Sequence, residues 1–416
     1  MDRQFYCNNR LKFSENMMDG ELAVFYSGNS LRKTADENYP FFADRNFVYL
    51  TGIYQESSIL LLSKANGLVE EHLFVLKPDE REEIWSGRRL KEAEVSEISG
   101  ISNIEYIEMF EKYLHSSIKT GNYFSLWLNL DRLMFTQYAD SSHIFAKKIR
   151  TNYPYLNLKN AYPNICDQRT IKNAEEIMAT RTAMTITNQA IQTMMAKCRP
   201  GIMEYQLEAE FNYILSQHGQ RSPAFPSIIS AGERNFYLHY QELNSRIGDG
   251  DLVLADVGAG YSGYCTDISR MFPSNGRFTE MQRNIYEIAL EANRAVMDIV
   301  KPGMEFTLTN QTCRDVAFKG LKAMGITDDF ADISRYVWHG TTHYVGLDVH
   351  DVGSYKKTME KDMIFTVDAG IYVRELGIGL RIEDNVLVTA NGCENLSAAI
   401  PVTIDDIEVI MGQTKY

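Results

Sequence analysis

In the second half of the chain the apolar residues fall in short unbroken runs, and most of these runs hold one acidic residue. Asp251-Leu-Val-Leu-Ala-Asp256-Val257 and Met363-Ile-Phe-Thr-Val-Asp368-Ala-Gly-Ile-Tyr372 have the length and β-branched content of buried strands. Tyr264-Cys-Thr-Asp267-Ile-Ser-Arg-Met-Phe272 follows the first run through a Gly-rich link, 258–263, and reads as the return strand of a hairpin. Gly379-Leu-Arg381-Ile-Glu383-Asp384 is a further strand-like segment. Helical patterns separate these runs. Asn173 with Glu176, and Thr279 with Gln282, have capping-box spacing, which predicts long helices from 173 to Lys197 and from 279 to the Pro302-Gly303 turn. In the first third, Asn46-Phe-Val-Tyr-Leu-Thr-Gly-Ile53, Ser57-Ser-Ile-Leu-Leu-Leu-Ser63 and Leu73-Phe-Val-Leu76 read as strands among helical segments. A boundary near 163–169 divides the chain into domains 1–168 and 169–416.

The second domain repeats itself. Pro200-Gly-Ile-Met-Glu204 recurs as Pro302-Gly-Met-Glu305, each after a long helix and each upstream of an apolar strand with an Asp, Ala255-Asp256-Val-Gly-Ala259 and Val367-Asp368-Ala-Gly-Ile371. A duplicated α+β unit of this kind predicts one sheet around a pseudo-two-fold axis, with a cluster at the axis drawing residues from both halves.

An isolated carboxylate inside an apolar strand suffers a large desolvation penalty unless it is paired or metal-bound. Asp256, Asp267, Asp368 and Glu383, joined by His343, therefore form a candidate ligand set for two divalent ions. Any one of them alone is commonly a strand-end carboxylate or a satisfied histidine; three acids in or beside apolar strands are not. The oxygen-rich set suits Mn²⁺, then Zn²⁺, Co²⁺ or Fe²⁺, and disfavours thiolate sites. Two ions roughly 3.5–4 Å apart can bridge a water, lower its pKa and polarise a carbonyl, which is the equipment of hydrolysis.

The eight histidines sharpen this reading. His339-Gly-Thr-Thr-His343 has the spacing of a helical zinc pair, but Gly340, Thr341 and Thr342 are weak helix formers and the required Glu is missing, so a strand or turn with only His343 coordinating is expected. His239 and His350 are then available to act on substrate as proton donors or oxyanion partners. Gly258-x-Gly260-x-x-Gly263 matches a dinucleotide fingerprint, which would make the chain an oxidoreductase. That motif must open a helix, whereas here it runs into a β-rich stretch and Pro273.

Composition narrows the partners. The 416 residues carry 42 Lys and Arg against 55 Asp and Glu, a net charge of −13 without basic clusters, which argues against nucleic acid and anionic membranes. The N-terminus lacks an apolar signal region and no stretch is long enough to span a membrane, so a cytoplasmic location is expected. Six scattered cysteines, Cys7, Cys166, Cys198, Cys265, Cys313 and Cys393, have no C-x-x-C spacing and indicate neither a disulfide framework nor a thiolate metal site.

Leu238-His-Tyr240, Asp256-Val-Gly-Ala with Thr266-Asp267-Ile and Phe-Pro273, His339-x-x-x-His343-x-x-Gly-Leu-Asp-Val-His350-Asp, and Gly377-Ile-Gly-Leu-Arg381-Ile-Glu383-Asp384 closely resemble the Xaa-Pro aminopeptidase (aminopeptidase P) and prolidase family. Tyr39-Pro-Phe-Phe-Ala-Asp-Arg-Asn-Phe-Val-Tyr-Leu-Thr-Gly52 and Glu83-Ile-Trp-Ser-Gly-Arg-Arg-Leu90 resemble the N-terminal domain that accompanies aminopeptidase P. The resemblance implies a C-terminal pita-bread catalytic domain behind a smaller α/β creatinase/aminopeptidase P-type domain. It implies two Mn²⁺-like ions on Asp256, Asp267, His343, Asp368 and Glu383, and a substrate site lined by His239, His339, His350 and Arg381. Asp368, His239 and His350 would be catalytic. The implied substrate is a peptide with N-terminal Xaa-Pro, and the implied state is a homo-oligomer, dimer or tetramer. The alternatives are a prolidase restricted to dipeptides, a creatinase-like hydrolase, and a catalytically silent binding module. One position departs from the pattern: the family has Glu-Pro where this chain has Asp368-Ala369, and that Glu is both ligand and general base.

Overall fold

A computed structural model describes residues 1–120 and 123–412, and the chain divides into two compact units, Met1–Gln168 and Arg169–Tyr416. The first unit is built on a mixed six-stranded sheet in the order Asn103–Tyr106, Leu68–Val75, Ile59–Ala65, Glu21–Tyr26, Ser125–Leu128, Asn157–Asn160. Ile59–Ala65 pairs antiparallel with both of its neighbours; the other three pairings are parallel. The run at 46–53, expected as a strand, is instead the helix Arg45–Thr51. Asp44 caps it by accepting from the Phe47 amide, and Gly52, with φ of 72°, ends it. These local stop and start signals outweigh the strand preference of Val48, Tyr49 and Thr51. The expected strands at 57–63 and 73–76 are present as Ile59–Ala65 and Leu68–Val75.

The second unit holds two antiparallel three-stranded sheets. One contains Ile228–Ala231, Leu252–Val257 and Ile268–Pro273, with Leu252–Val257 in the middle. The other contains Ile364–Val373, Ile378–Val388 and Cys393–Asn395, with Ile378–Val388 in the middle. The single continuous sheet expected from the repeat is thus two sheets. Side chains replace a backbone ladder between them: Asn385 Nδ2 donates to the Asp267 carbonyl at 2.8 Å and accepts at Oδ1 from the Asp267 amide, while Arg270 Nη1 donates to the Glu383 carbonyl at 2.8 Å.

Both predicted long helices form with their capping boxes, Ala174–Lys197 after Asn173 and Glu280–Ile299 after Thr279. Their buried faces join the strands in an apolar core that includes Ile191, Met194, Leu254, Phe272, Ile285 and Ile382. The duplication is visible in backbone hydrogen bonds. Gly201 donates to the Ile247 carbonyl and Ile247 to that of Ile202; Gly303 and Met359 do the same with Met359 and Met304. This geometry pairs Met203 with Glu305 and Glu204 with Phe306, so the two motif glutamates are one position out of register. No helix among the described residues is long and apolar enough to cross a membrane.

Candidate metal centre

Each half of the second unit contributes one antiparallel strand pair, and each pair carries carboxylates toward the same place. Asp256 lies opposite Ser269 in the first pair, two residues past Asp267 and on the same face of its strand. In the second pair Asp368 lies directly opposite Glu383. His343 stands in an irregular segment, fixed where its amide meets Thr366 Oγ1 and the neighbouring Tyr344 bridges Phe365. No helix forms over 339–343. The Gly258–Gly263 link likewise opens no helix; it contains half of a two-stranded hairpin, Gly260–Tyr261 with Tyr264–Cys265. Gly258 is fixed by sterics, because a Cβ there would lie 1.8 Å from the Thr266 carbonyl oxygen.

One cavity of about 150 Å³ is lined by all nine residues singled out above, Asp256, Asp267, Asp368, Glu383, His239, His339, His343, His350 and Arg381, together with Leu238 and Gly340. Within it Asp256, Asp267 and Glu383 bring ligand atoms within 4.8 Å of one another, and so do Asp267, His343 and His350. The two groups share Asp267, as a centre for adjacent cations would require. His343 Nε2 lies 3.4 Å from both Asp267 Oδ2 and Glu383 Oε1, long for hydrogen bonds, so the attraction is chiefly electrostatic.

The second oxygens are spoken for. Arg381 pairs with Asp256 Oδ2 and also donates to Ser269 Oγ; Ser269 donates to Glu383 Oε2 at 3.0 Å. Asp368 Oδ2 sits 3.2 Å from His339 Nδ1, and the other nitrogen of that ring is 2.9 Å from the Tyr372 hydroxyl. Gly370 makes room for this ring, since a Cβ there would meet His339 Nε2 at 2.2 Å. Asp256 Oδ1, Asp267 Oδ1, Asp368 Oδ1 and Glu383 Oε1 remain buried without a hydrogen-bond partner. Four unpartnered carboxylate oxygens around one cavity are what a pair of divalent cations needs, so the donor set fits the group. Asp384, next to Glu383, belongs to a different account: alternation along the strand turns it away, and buried Arg270 neutralises it at 2.6 Å.

Crowding fixes the proton affinities. Burial, reinforced by Glu383 and Asp256, holds the Asp267 carboxyl well above the usual range, and burial with Glu383 does the same to Asp368. Burial opposes charge on His343, but Asp267 and Glu383 outweigh it and raise its pKa well above the ordinary value. Burial lowers His339, and burial with His343 lowers His350. Unfolded values are about 3.9 for Asp and 6.5 for His. For Asp267, Asp368 and His343, whose folded values are raised, the associated stability is therefore full below the unfolded values and lost as pH rises through the higher folded ones. Cations that take the place of the protons cancel the loss. The difference in melting temperature between metal-loaded and chelated protein should widen between about pH 5 and pH 8. A gap that narrows over that range would contradict the ligand assignment.

Several residues that shape the centre were not legible as site residues. Ser269 could have been found from its spacing of two from Asp267. Asn385 and Tyr372 act across strands, and no local signal marks them. Asp351 is buried against Lys172 at 2.9 Å and Arg169, which anchors the chain just beyond His350. Gly346 leaves space for that pair, as a Cβ there would lie 2.0 Å from Asp351 Oδ2.

Comparison with known proteins gives this geometry relatives. Residues 179–390 match Metallopeptidase family M24, and residues 6–127 match the Aminopeptidase P, N-terminal domain. The Xaa-Pro aminopeptidase of Escherichia coli K12 is 33% identical over 99% of this chain and 98% of its own length. The Xaa-Pro dipeptidase of Pyrococcus furiosus is 36% identical, but over 56% of this chain and 64% of its own. Among solved structures, an aminopeptidase P from Bacillus anthracis superposes with a TM-score of 0.98 at 37% identity, covering 100% of this chain and 99% of that one. Zn-substituted E. coli aminopeptidase P in complex with product gives 0.92 at 31%, with the same coverage.

Proposed function

Because the chain belongs to metallopeptidase family M24, we propose that it is a metal-dependent aminopeptidase that releases the N-terminal residue from peptides with proline in second position. Its fold is a pita-bread domain behind an aminopeptidase P-type N-terminal domain, and its chemistry is that of a metallo-exopeptidase. The observation that carries the reading is the single cavity lined by four histidines and by carboxylates of which four buried oxygens have no hydrogen-bond partner, in a chain similar to Xaa-Pro aminopeptidases from end to end. A prolidase limited to dipeptides is second, because similarity to the Pyrococcus enzyme covers little more than half of the chain.

The centre is a dinuclear divalent site. In our reading Asp256, Asp267, His343, Asp368 and Glu383 hold the two ions, which we take to be Mn²⁺ on the strength of the oxygen-rich set. When bound, the ions supply Lewis acidity and a water of lowered pKa. The Asp368 carboxylate accepts the proton of the water as its oxygen bonds to the scissile carbonyl carbon, and returns that proton to the proline nitrogen as the carbon–nitrogen bond breaks. That amide is tertiary, without the N–H that general peptidases grip, and its shape is restricted. His239 and His350 face the cavity and donate hydrogen bonds to the oxygen that gains charge; a lowered pKa leaves His350 neutral for this task. His339 and Arg381 complete the wall on which substrate rests. We extend the reading to a cytoplasmic enzyme, since no disulfide joins the cysteines among the described residues, as in a reducing compartment, and to a homo-oligomer on the family resemblance.

Chelated protein titrated with Mn²⁺ against X-Pro-Y tripeptides, X-Pro dipeptides and non-proline controls tests this. Activity should appear on the tripeptides at about two ions per chain. Full turnover in exhaustive chelator would sink the two-metal reading, and preference for the dipeptides would select the prolidase. His239→Ala and His350→Ala should each lower kcat by roughly 10²–10⁴-fold with metal content intact. If His350→Ala sheds metal in step with activity, His350 is a ligand, the role its place beside Asp267 and His343 would also allow.

A further inference from the structure

Glu204 opens the helix Glu204–Gln217 at the position that the duplicated half fills with Phe306, a core aromatic packed on Tyr344 and Phe365. A buried carboxylate where the repeat needs only an apolar side chain is costly unless donors surround it. Glu204 is fully buried and has four. Its Oε1 accepts from the Ala231 amide at 3.1 Å and Arg234 Nε at 2.9 Å; its Oε2 accepts from the Tyr240 hydroxyl at 2.8 Å and the Ser245 amide at 3.0 Å.

All four donors belong to one segment, 231–245, and that segment carries His239 into the cavity. Tyr240, the next residue, is held by Glu204. Leu238, the residue before, gives its carbonyl to Arg381 at 3.1 Å, the same guanidinium that pairs with Asp256. His239 therefore stands between two fixed points, one set by Glu204 and the other tied to the metal centre. The segment is also bent where it need not be for an ordinary loop: Leu243 has φ of 48°, a left-handed conformation that a bulky side chain keeps only where its surroundings over-determine it.

We propose that Glu204 is a positioning residue for the peptidase reaction, setting the place of His239 over the scissile bond. The proposal rests on the reading of the cavity as the active site. Glu204→Gln and Tyr240→Phe, each alone and each combined with His239→Ala, test it through kcat/KM on an X-Pro-Y peptide and metal content. Each single change should lower kcat/KM by about 10- to 100-fold, the scale of a misplacement of roughly 1 Å. On the His239→Ala background the same changes should cost no more than about two-fold, because the group they position is gone. Metal content should stay at that of the parent throughout. A purely structural Glu204 would give equal losses in both backgrounds, and that result, or metal lost in step with rate, overturns the proposal alone. A parental rate for His239→Ala removes the role of His239 and the proposal with it. If Glu204→Gln fails to fold, Tyr240→Phe carries the same comparison, since it removes one hydroxyl and no charge.

Discussion

Asp368→Asn is expected to lower kcat/KM on an X-Pro-Y peptide by on the order of 10²–10⁴-fold, whereas Asp368→Glu should preserve or raise it. Asp368 is fixed at its backbone, where its amide donates to the Thr341 carbonyl at 2.7 Å and its strand pairs it with Glu383. Only the side chain is left to reach the reacting water. Asn keeps the shape and one acceptor oxygen but cannot hold the proton that the carboxylate would take, so metal content should survive better than rate. Glu lengthens the reach by one methylene toward the cavity, as the Glu-Pro pattern of the family this chain resembles implies at the place of Asp368-Ala369. A shortfall of about 1 Å would be worth roughly 10²-fold, which sets the gain Asp368→Glu would bring if the native Asp falls short by that much. An Asn variant as active as the parent would show that Asp368 is not the base.

Asp267→Asn should have the other large effect, on metal rather than on proton transfer alone. Asp267 is common to both ligand groups, so its loss should abolish Mn²⁺-dependent turnover and the thermal stabilisation that metal confers. Saturation to about 100 times Kd is worth roughly 2.7 kcal/mol, or on the order of 5–10 °C for a unit of this size. Chelated Asp267→Asn should nevertheless melt at or above the chelated parent, because it removes a buried acid that Glu383 and Asp256 crowd. A chelated variant that melts well below the parent would mean that Asp267 is structural.

Much of this centre was legible because its residues break a local rule. An acid inside an apolar run is conspicuous, and Asp256 and Asp368 were found that way. The capping boxes at Asn173 and Thr279 were equally local and formed as read. What failed was decided elsewhere. Residues 46–51 are all buried, so no alternation separates helix from strand, and the deciding signals were Asp44 and Gly52 at the ends. The split into two sheets depends on Asn385 meeting Asp267 across 118 positions. The repeat was visible, but its register was not, because only hydrogen bonds to Ile247 and Met359 reveal that Glu204 answers to Phe306. Ser269, Tyr372 and Glu204 are ordinary polar residues until the strands and loops bring them to their partners.

Duplication by itself would give a symmetric cradle, two carboxylates from either half facing across an axis. This chain has made the cradle lopsided. Among the described residues Arg381 pairs directly with Asp256, whereas the contact of Asp368 is with His339, and the imidazole of His343 comes from one side only. Two identical cations would not be equivalent there: the group Asp256, Asp267 and Glu383 would offer one a carboxylate already shared with a guanidinium, and the group with His343 would offer the other a nitrogen donor. The pair should fill one after the other, and at limiting metal the enzyme would pass through a half-loaded form, so that the supply of metal in its surroundings sets how much of it is at work.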